Sequence, residues 1–344
     1  MAYGNGVFVI AGTVSNPSQA NADTLLSSSD GVSWAVRGNG TFYGLNFENG
    51  RFLAMGYNST LLSSTDGRTW TPGTGLSWGQ SLYGAAYGNG RYVLVGGTNS
   101  PVVYTSTDGT TWTVRDFGSQ GGSLYPMGFN GIAFGDGIFI AKGTGYNSGD
   151  NRWYNVLFTS TDGVTWTRIA STLLDSAGTF YDILFAGGRF FVTGGSGILV
   201  SADKGTTWSN VYPKSCYGIG YGGGVWIATT AGGGFISQDG TNWTDFSLPT
   251  EKTLYDAAYG NNTFIIVGEN GTIFQTSPFA GTLVTADINR DGQIDLADLI
   301  IVLQWLTGRN TPVPQSDTVA DVNGDFRTGL AEAIFILQKV AGMR

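Results

Sequence analysis

The stretch "STDGTTW" at residues 106–112 returns almost unchanged as "STDGVTW" at 160–166, and its pattern recurs as "SSDGVSW" (28–34), "STDGRTW" (64–70), "ADKGTTW" (202–208) and "SQDGTNW" (237–243). An Asp repeated between a hydroxyl and a Trp is either a repeated site or a repeated turn. The residue types fit a turn. Ser opens it, Asp accepts bonds from the amides just ahead, Gly supplies a positive φ, and Trp buries a large face against the next unit. Asp30, Asp66, Asp108, Asp162, Asp203 and Asp239 are therefore expected to be turn residues rather than acids in six separate sites.

A second element precedes each of these turns and recurs seven times: "AYGNGVFVIAG" (2–12), "NFENGRFLAMG" (46–56), "AYGNGRYVLVG" (86–96), "AFGDGIFIAKG" (133–143), "LFAGGRFFVTG" (184–194), "GYGGGVWIATT" (220–230) and "AYGNNTFIIVG" (258–268). Each copy reads as a short apolar strand, an Asn-Gly-like turn and an aromatic, β-branched strand, the strongest short-range hairpin signal. The full unit repeats at about 36 to 54 residues, the range in which four-stranded sheets repeat around a propeller axis. The expected fold is all-β, a seven-bladed β-propeller.

The Asp-containing turn resembles the Asp-box, or BNR, repeat of the sialidase-like propellers. The whole unit is similar to the repeat of bacterial extracellular propellers in that broad group, over roughly residues 2 to 279. Two ends of the array are incomplete. The chain opens at "MAYGNG" where internal units begin "LYGAAYGNG" (82–90), and the seventh unit ends in "TIFQTSPF" without reaching a Trp. These ends lead to two expectations: that the natural chain begins further upstream, where a secretion signal would lie, and that the N-terminus supplies the outer strand of the last blade.

Composition narrows the function classes. The 344 residues include 55 Gly, 10 Trp, 16 Tyr and 20 Phe, with 12% charged residues, so a solid core can be buried in a turn-rich chain. Net charge is −8 and no Lys/Arg cluster follows a phosphate backbone, which makes nucleic acid a poor partner. Histidine is absent, which removes Ser-His and Cys-His catalytic pairs and the commonest transition-metal ligand. The single Cys216 stands where sister segments carry Leu or Phe and reads as a buried apolar residue. No apolar run reaches the ~18 residues of a membrane span.

Beyond the propeller, glycine thins out and helical periodicity begins. "DINRDGQIDLAD" places Asp287, Asn289, Asp291, the carbonyl of Gln293, Asp295 and Asp298 at positions 1, 3, 5, 7, 9 and 12 of a loop with Gly292 at the bend, a strong Ca²⁺ signature. "DVNGDFRTGLAE" offers Asp321, Asn323, Asp325, the carbonyl of Arg327 and Glu332. There Phe326 takes the glycine position and Gly329 leaves position 9 to a water, so the loop at 321–332 should bind Ca²⁺ more weakly than that at 287–298. Each loop runs into an amphipathic helix, "LADLIIVLQWLTG" (296–308) and "LAEAIFILQKVAG" (330–342).

This arrangement resembles the type I dockerin, an EF-hand-like module, over roughly 286 to 344. The resemblance implies two bound Ca²⁺ ions, a cohesin-type protein partner and an extracellular or cell-surface location. The pair after loop position 9, polar in many dockerins, is Leu296-Ala297 and Leu330-Ala331 here, which leaves the choice of cohesin open; so is docking of the module on its own propeller. The expected organisation is a propeller over 1–281, a linker at 282–285 and a dockerin-like domain at 286–344.

Sialidase kinship raises catalysis. Arg51, Arg91 and Arg189 share one repeat position, where sister units carry Val, Ile, Val and Thr, and read as solvated strand residues rather than a carboxylate clamp; no Arg-Ile-Pro signature accompanies them. Asp182 and Asp256 stand where four sister units carry Gly, on the strand that should line the channel, beside Tyr43, Tyr83, Tyr181, Tyr217 and Tyr255. The acids are either a glycosidase pair or partners of neighbouring strands. The tyrosines suit a sugar or a peptide. Dockerin-bearing Asp-box xyloglucan hydrolases work with two facing propellers, and this sequence holds one. The leading reading is a non-catalytic extracellular binding protein; the alternatives are a glycoside hydrolase and a structural repeat domain of a larger cell-surface protein.

Overall fold

The computed structural model describes residues 1–14, 22–77, 79–117, 124–171, 173–174 and 178–276. The chain divides into two units, Met1–Ser277 and Pro278–Arg344. The first is a seven-bladed β-propeller of six four-stranded sheets and one, among the described residues, three-stranded sheet. Every blade is an antiparallel meander, and the inner strands in order are Ala2–Gly4, Phe42–Glu48, Leu82–Gly88, Leu124–Gly135, Phe180–Ala186, Ile219–Gly222 and Leu254–Gly260.

The turns between first and second strands take the conformation their sequence demands. Asn5, Asn49, Asn89, Asp136 and Asn261 all have φ between 45° and 49°, the left-handed geometry that Asn and Asp tolerate best. These residues also join blades. Asn5 Nδ2 donates to the Gly50 and Thr65 carbonyls of blade two, and Asn89 Nδ2 to those of Gly137 and Thr161 in blade four.

The core is divided among the spaces between blades. Val93, Val95 and Val103 of blade three pack with Phe129, Ile132, Phe139, Phe158 and Trp166 of blade four. Ile138, Ile140 and Leu157 of that same blade turn to Phe180, Phe190 and Val192 of blade five. Both faces of each sheet are buried, so second strands such as Ile138–Asn147 open on a continuous apolar run rather than an alternating one.

In the repeated Asp-bearing turns the hydroxyl and the carboxylate work together. Asp108 Oδ1 accepts the amides of Thr110 and Thr111, each at 2.7 Å, while Ser106 Oγ donates to it at 2.9 Å and accepts the Gly109 amide at 2.8 Å. Asp30, Asp66, Asp162 and Asp239 repeat the pattern. The fifth turn has one more residue, Lys204 at φ 61°, and Asp203 accepts the Thr207 amide instead. Amide donation holds the Asp66 carboxyl down at about 2 and lowers its counterparts.

One expectation is corrected. The turn Trp packs on the preceding blade: Trp112 of blade three lies with Leu53 and Met55 of blade two, and Trp166 with the valines of blade three. The turn leans back over its predecessor, and a Cβ on Gly109 would lie 2.8 Å from Arg51 Cδ. Ala2–Gly4 pairs with Val7–Val9 as the inner strand of blade one. The first and last blades are joined through Tyr3 Oη to Asn261 Oδ1 at 2.5 Å, Asn261 Nδ2 to the Ser29 carbonyl at 2.8 Å and Gln275 Nε2 to the Asp30 carbonyl at 3.1 Å.

Candidate functional site

Strand direction separates the two faces of the propeller. Because neighbouring strands run antiparallel, the Asn-Gly turns and the repeated Asp-bearing turns share one face, and the starts of the inner strands lie towards the other. The tyrosines of the sequence reading lie at those starts, away from the turn aspartates. They line, with Asp182 and Asp256, a central cavity of about 960 Å³.

A backbone device aims the tyrosines. In blade two the pairing of inner and second strands jumps from Phe42 to Gly44, leaving Tyr43 as the extra residue of a β-bulge. The same skip falls on Tyr83, Tyr181 and Tyr255. A bulged residue leaves the ladder and turns to a new direction; here it turns into the channel. Tyr43 and Tyr83 stack at 5.3 Å with 16° between planes, Tyr181 and Tyr217 lie 5.1 Å apart, and Tyr217 meets Tyr255 edge-on at 5.9 Å. In blade four the bulge residue is Asn130. The bulge was not legible in the sequence, because a skipped partner leaves no mark in an apolar run.

The structure brings Asp182 and Asp256 to one cavity and gives both backbone work. Asp182 accepts the amide of Ile183 at 2.8 Å and that of Ile219, on blade six, at 3.0 Å. Asp256 accepts the Ala257 amide at 2.8 Å and is bonded to the Met1 amino group, which occupies on blade one the register place that Ile219 N has on blade six. Where Gly stands instead, blades close up: a Cβ on Gly44 would lie 2.0 Å from the Tyr83 carbonyl oxygen. The aspartates bridge the wider gaps. Burial, and next the charge of Asp256, push the Asp182 carboxyl up to about 6 against the pull of Lys142.

Lys142 was missed by the sequence reading, although it replaces residues such as Met55, Val95 and Thr193 of sister blades. It is 2% exposed, and its Nζ donates to Asn130 Oδ1 at 2.8 Å and to the Asn130 carbonyl at 3.2 Å. Burial brings it down to about 8, opposed by the charge of Asp182. Glu48, at the far end of its inner strand, accepts the Tyr87 amide at 3.1 Å and is pushed up to about 7 by burial.

Other candidates fall outside the channel. Arg91 Nη1 donates to the Asp162 carbonyl at 2.9 Å and Arg189 to that of Asp239, each in the next blade, while Arg51 Nη1 reaches Ser63 Oγ at 3.5 Å. Arg91 and Arg189 remain partly exposed and tie blades together through turn carbonyls. Cys216 is fully buried and its thiol is pushed up to about 12, in accord with a core role. Blade four carries an extension missed beforehand, whose only sequence signal was its long repeat. Strands Ile138–Asn147 and Arg152–Ser160 run past their neighbours on the tyrosine-bearing face and expose Trp153 (64%) and Tyr125 (56%).

The loop residues Asp287, Asn289, Asp291, Gln293, Asp295, Asp298, Asp321, Asn323, Asp325, Arg327 and Glu332 lie outside the described residues. Among the described residues no group of three acidic, His or Cys side chains could hold a metal, and no helix is long and apolar enough to cross a membrane.

Residues 285–328 match the family described as the dockerin type I domain, a span that contains the first loop whole and most of the second. No curated protein sequence matches the chain significantly. Among solved structures the propeller is similar to PorZ, an essential surface component of the type-IX secretion system of Porphyromonas gingivalis (13% identity, TM-score 0.57, 85% of this chain and 48% of PorZ). It is also similar to Ycf48 from Cyanidioschyzon merolae (18%, 0.53, 75% and 90%) and to a Ycf48 bound to D1 peptide (16%, 0.54, 79% and 96%). At these identities the likeness is one of fold.

Proposed function

We propose that this chain is a non-catalytic extracellular binding protein whose propeller holds a glycan or a peptide and whose C-terminal module docks a cohesin-type partner through two Ca²⁺ loops. The dockerin match at 285–328 carries the reading. Dockerins generally bind calcium, and the donor sets fit that ion: hard oxygen ligands at alternating positions, with four aspartates in the first loop. Dockerin modules occur in extracellular and cell-surface proteins, which supports a location outside the cell or on its surface.

The binding role of the propeller draws support from the bulge-borne tyrosines, from a cavity at the upper end of the ~300–1,000 Å³ usual for ligand pockets, and from the exposed Trp153 and Tyr125 on the same face. The Ycf48 solved with a D1 peptide is a propeller of similar fold that accepts a peptide. The glycoside hydrolase reading loses its main support, because both candidate acids are engaged by backbone donors. The test is capture of the full chain on immobilised type I cohesin domains with Ca²⁺ and with chelator. Retention only with Ca²⁺ is expected; a chain retained by no type I cohesin would favour a structural repeat domain.

A further inference from the structure

Asn130 interrupts the aromatic ring at the bulge of blade four. The buried ammonium of Lys142 holds it, and Gly131 clears the way: a Cβ there would lie 2.7 Å from Lys142 Cε. Burying an ammonium is costly unless it is well bonded, so its consequence for Asn130 matters. An ammonium has three donors and no acceptor. Bonded to Oδ1, it fixes which way the carboxamide faces and leaves Nδ2 on the side away from Lys142 Nζ. That Nδ2 has no partner among the described residues, and Asn130 is exposed in the channel wall. The channel therefore presents an oriented N–H donor. Asp182, with lone pairs beyond the two it uses, is an acceptor on the next inner strand, and tyrosine faces flank both.

We propose that this assembly reads a neutral sugar ring: Asn130 Nδ2 donates to one hydroxyl oxygen, Asp182 accepts from another hydroxyl, and the tyrosines cover the apolar C–H face. Lys142 is a positioning residue acting through Asn130. The inference rests on the propeller being a binding domain and names its ligand class. An anionic ligand would meet Asp182 and Asp256 with no arginine among the described channel residues, and the amino group of Met1 there is already bonded to Asp256. A neutral polyhydroxylated ring meets a donor, an acceptor and aromatic faces without charge conflict.

The experiment is affinity electrophoresis of the full chain through gels holding xyloglucan, arabinoxylan, mixed-linkage β-glucan or galactomannan, with polygalacturonate and a tiled peptide library as the other arms. Retardation by at least one neutral polysaccharide is expected, unchanged by added NaCl and abolished by Tyr43→Ala. Asn130→Asp, which replaces the donor by an acceptor of the same shape, should weaken it about tenfold. Lys142→Met, the residue of blade two, should weaken it as well, and Lys142→Arg should restore part of it; a purely structural lysine would leave the affinity of the folded Met variant unchanged. Neutral-polymer binding untouched by Asn130→Asp overturns the proposal. So does binding only to polygalacturonate or a peptide; if Tyr43→Ala then abolishes that binding, the propeller remains a binding domain and only the sugar assignment falls. No binding in any arm overturns both.

Discussion

At the scale of single residues, the repeated Asp is architecture, and the neighbouring glycine is under the tighter constraint. Gly109 has φ 72° and its α-carbon faces Arg51 of the preceding blade. Gly109→Ala should cost about 1–2 kcal/mol for the left-handed backbone alone, read as a lower urea midpoint at unchanged slope; an unaltered midpoint would count against the fit described. The turn itself was legible, since Ser, Asp and Gly at fixed spacing have few other uses. That Arg91 and Arg189 bond to turn carbonyls of the next blade was not, because a contact across a blade boundary depends on how far each sheet is rotated about the axis. Lys142 was legible in principle: a lysine among apolar and Thr counterparts in six sister units is a break in pattern as plain as Asp182, and its repeat position on a buried strand marked it as interior.

At the scale of elements, the hairpins were readable from Asn-Gly and a following apolar run, down to their positive φ values. The bulges that give the channel its tyrosines were hidden, since Tyr43 in "FYGLNF" reads as one more alternating strand residue. Blade four illustrates what two-sided burial means for energetics. Phe139 is fully buried in the space shared with blade three, and Phe139→Ala should destabilise by about 3–5 kcal/mol, measured by equilibrium denaturation. The two loops proposed to bind Ca²⁺ make a separate prediction. Titration should fill 287–298 before 321–332, so Asp291→Ala should remove the tighter phase and Asp325→Ala only the weaker; loss of the tighter phase with Asp325→Ala, or of the weaker alone with Asp291→Ala, would contradict the ranking.

At the scale of the whole molecule, the ring and its charges set the response to pH. The turn aspartates, with Asp66 near 2, release their protons more readily when folded, so their stabilisation is present above about pH 4 and is lost as pH falls towards 2. Asp182 near 6 and Glu48 near 7 keep protons that the unfolded chain gives up near 4, so stability also declines as pH rises from about 4 to 7. Lys142 near 8 sheds its proton early when folded, which returns some stability above about pH 8. Melting followed by tryptophan fluorescence in saturating Ca²⁺ should peak on the acid side of neutrality, and Glu48→Gln should flatten the decline towards pH 7; a steady rise from pH 3 to 8 in both proteins would contradict this assignment. The seven-fold architecture was readable because each unit repeats its turn signals, whereas ring closure was not: it rests on Tyr3, Asn261 and Gln275 acting across the whole length of the array. The proposed tethering is measured by surface capture of the full chain on type I cohesin domains in Ca²⁺, followed by a chelator wash. The account predicts capture that is released by the chelator and lost in Asp287→Ala/Asp291→Ala; capture that survives both, or no capture by any type I cohesin, would contradict it.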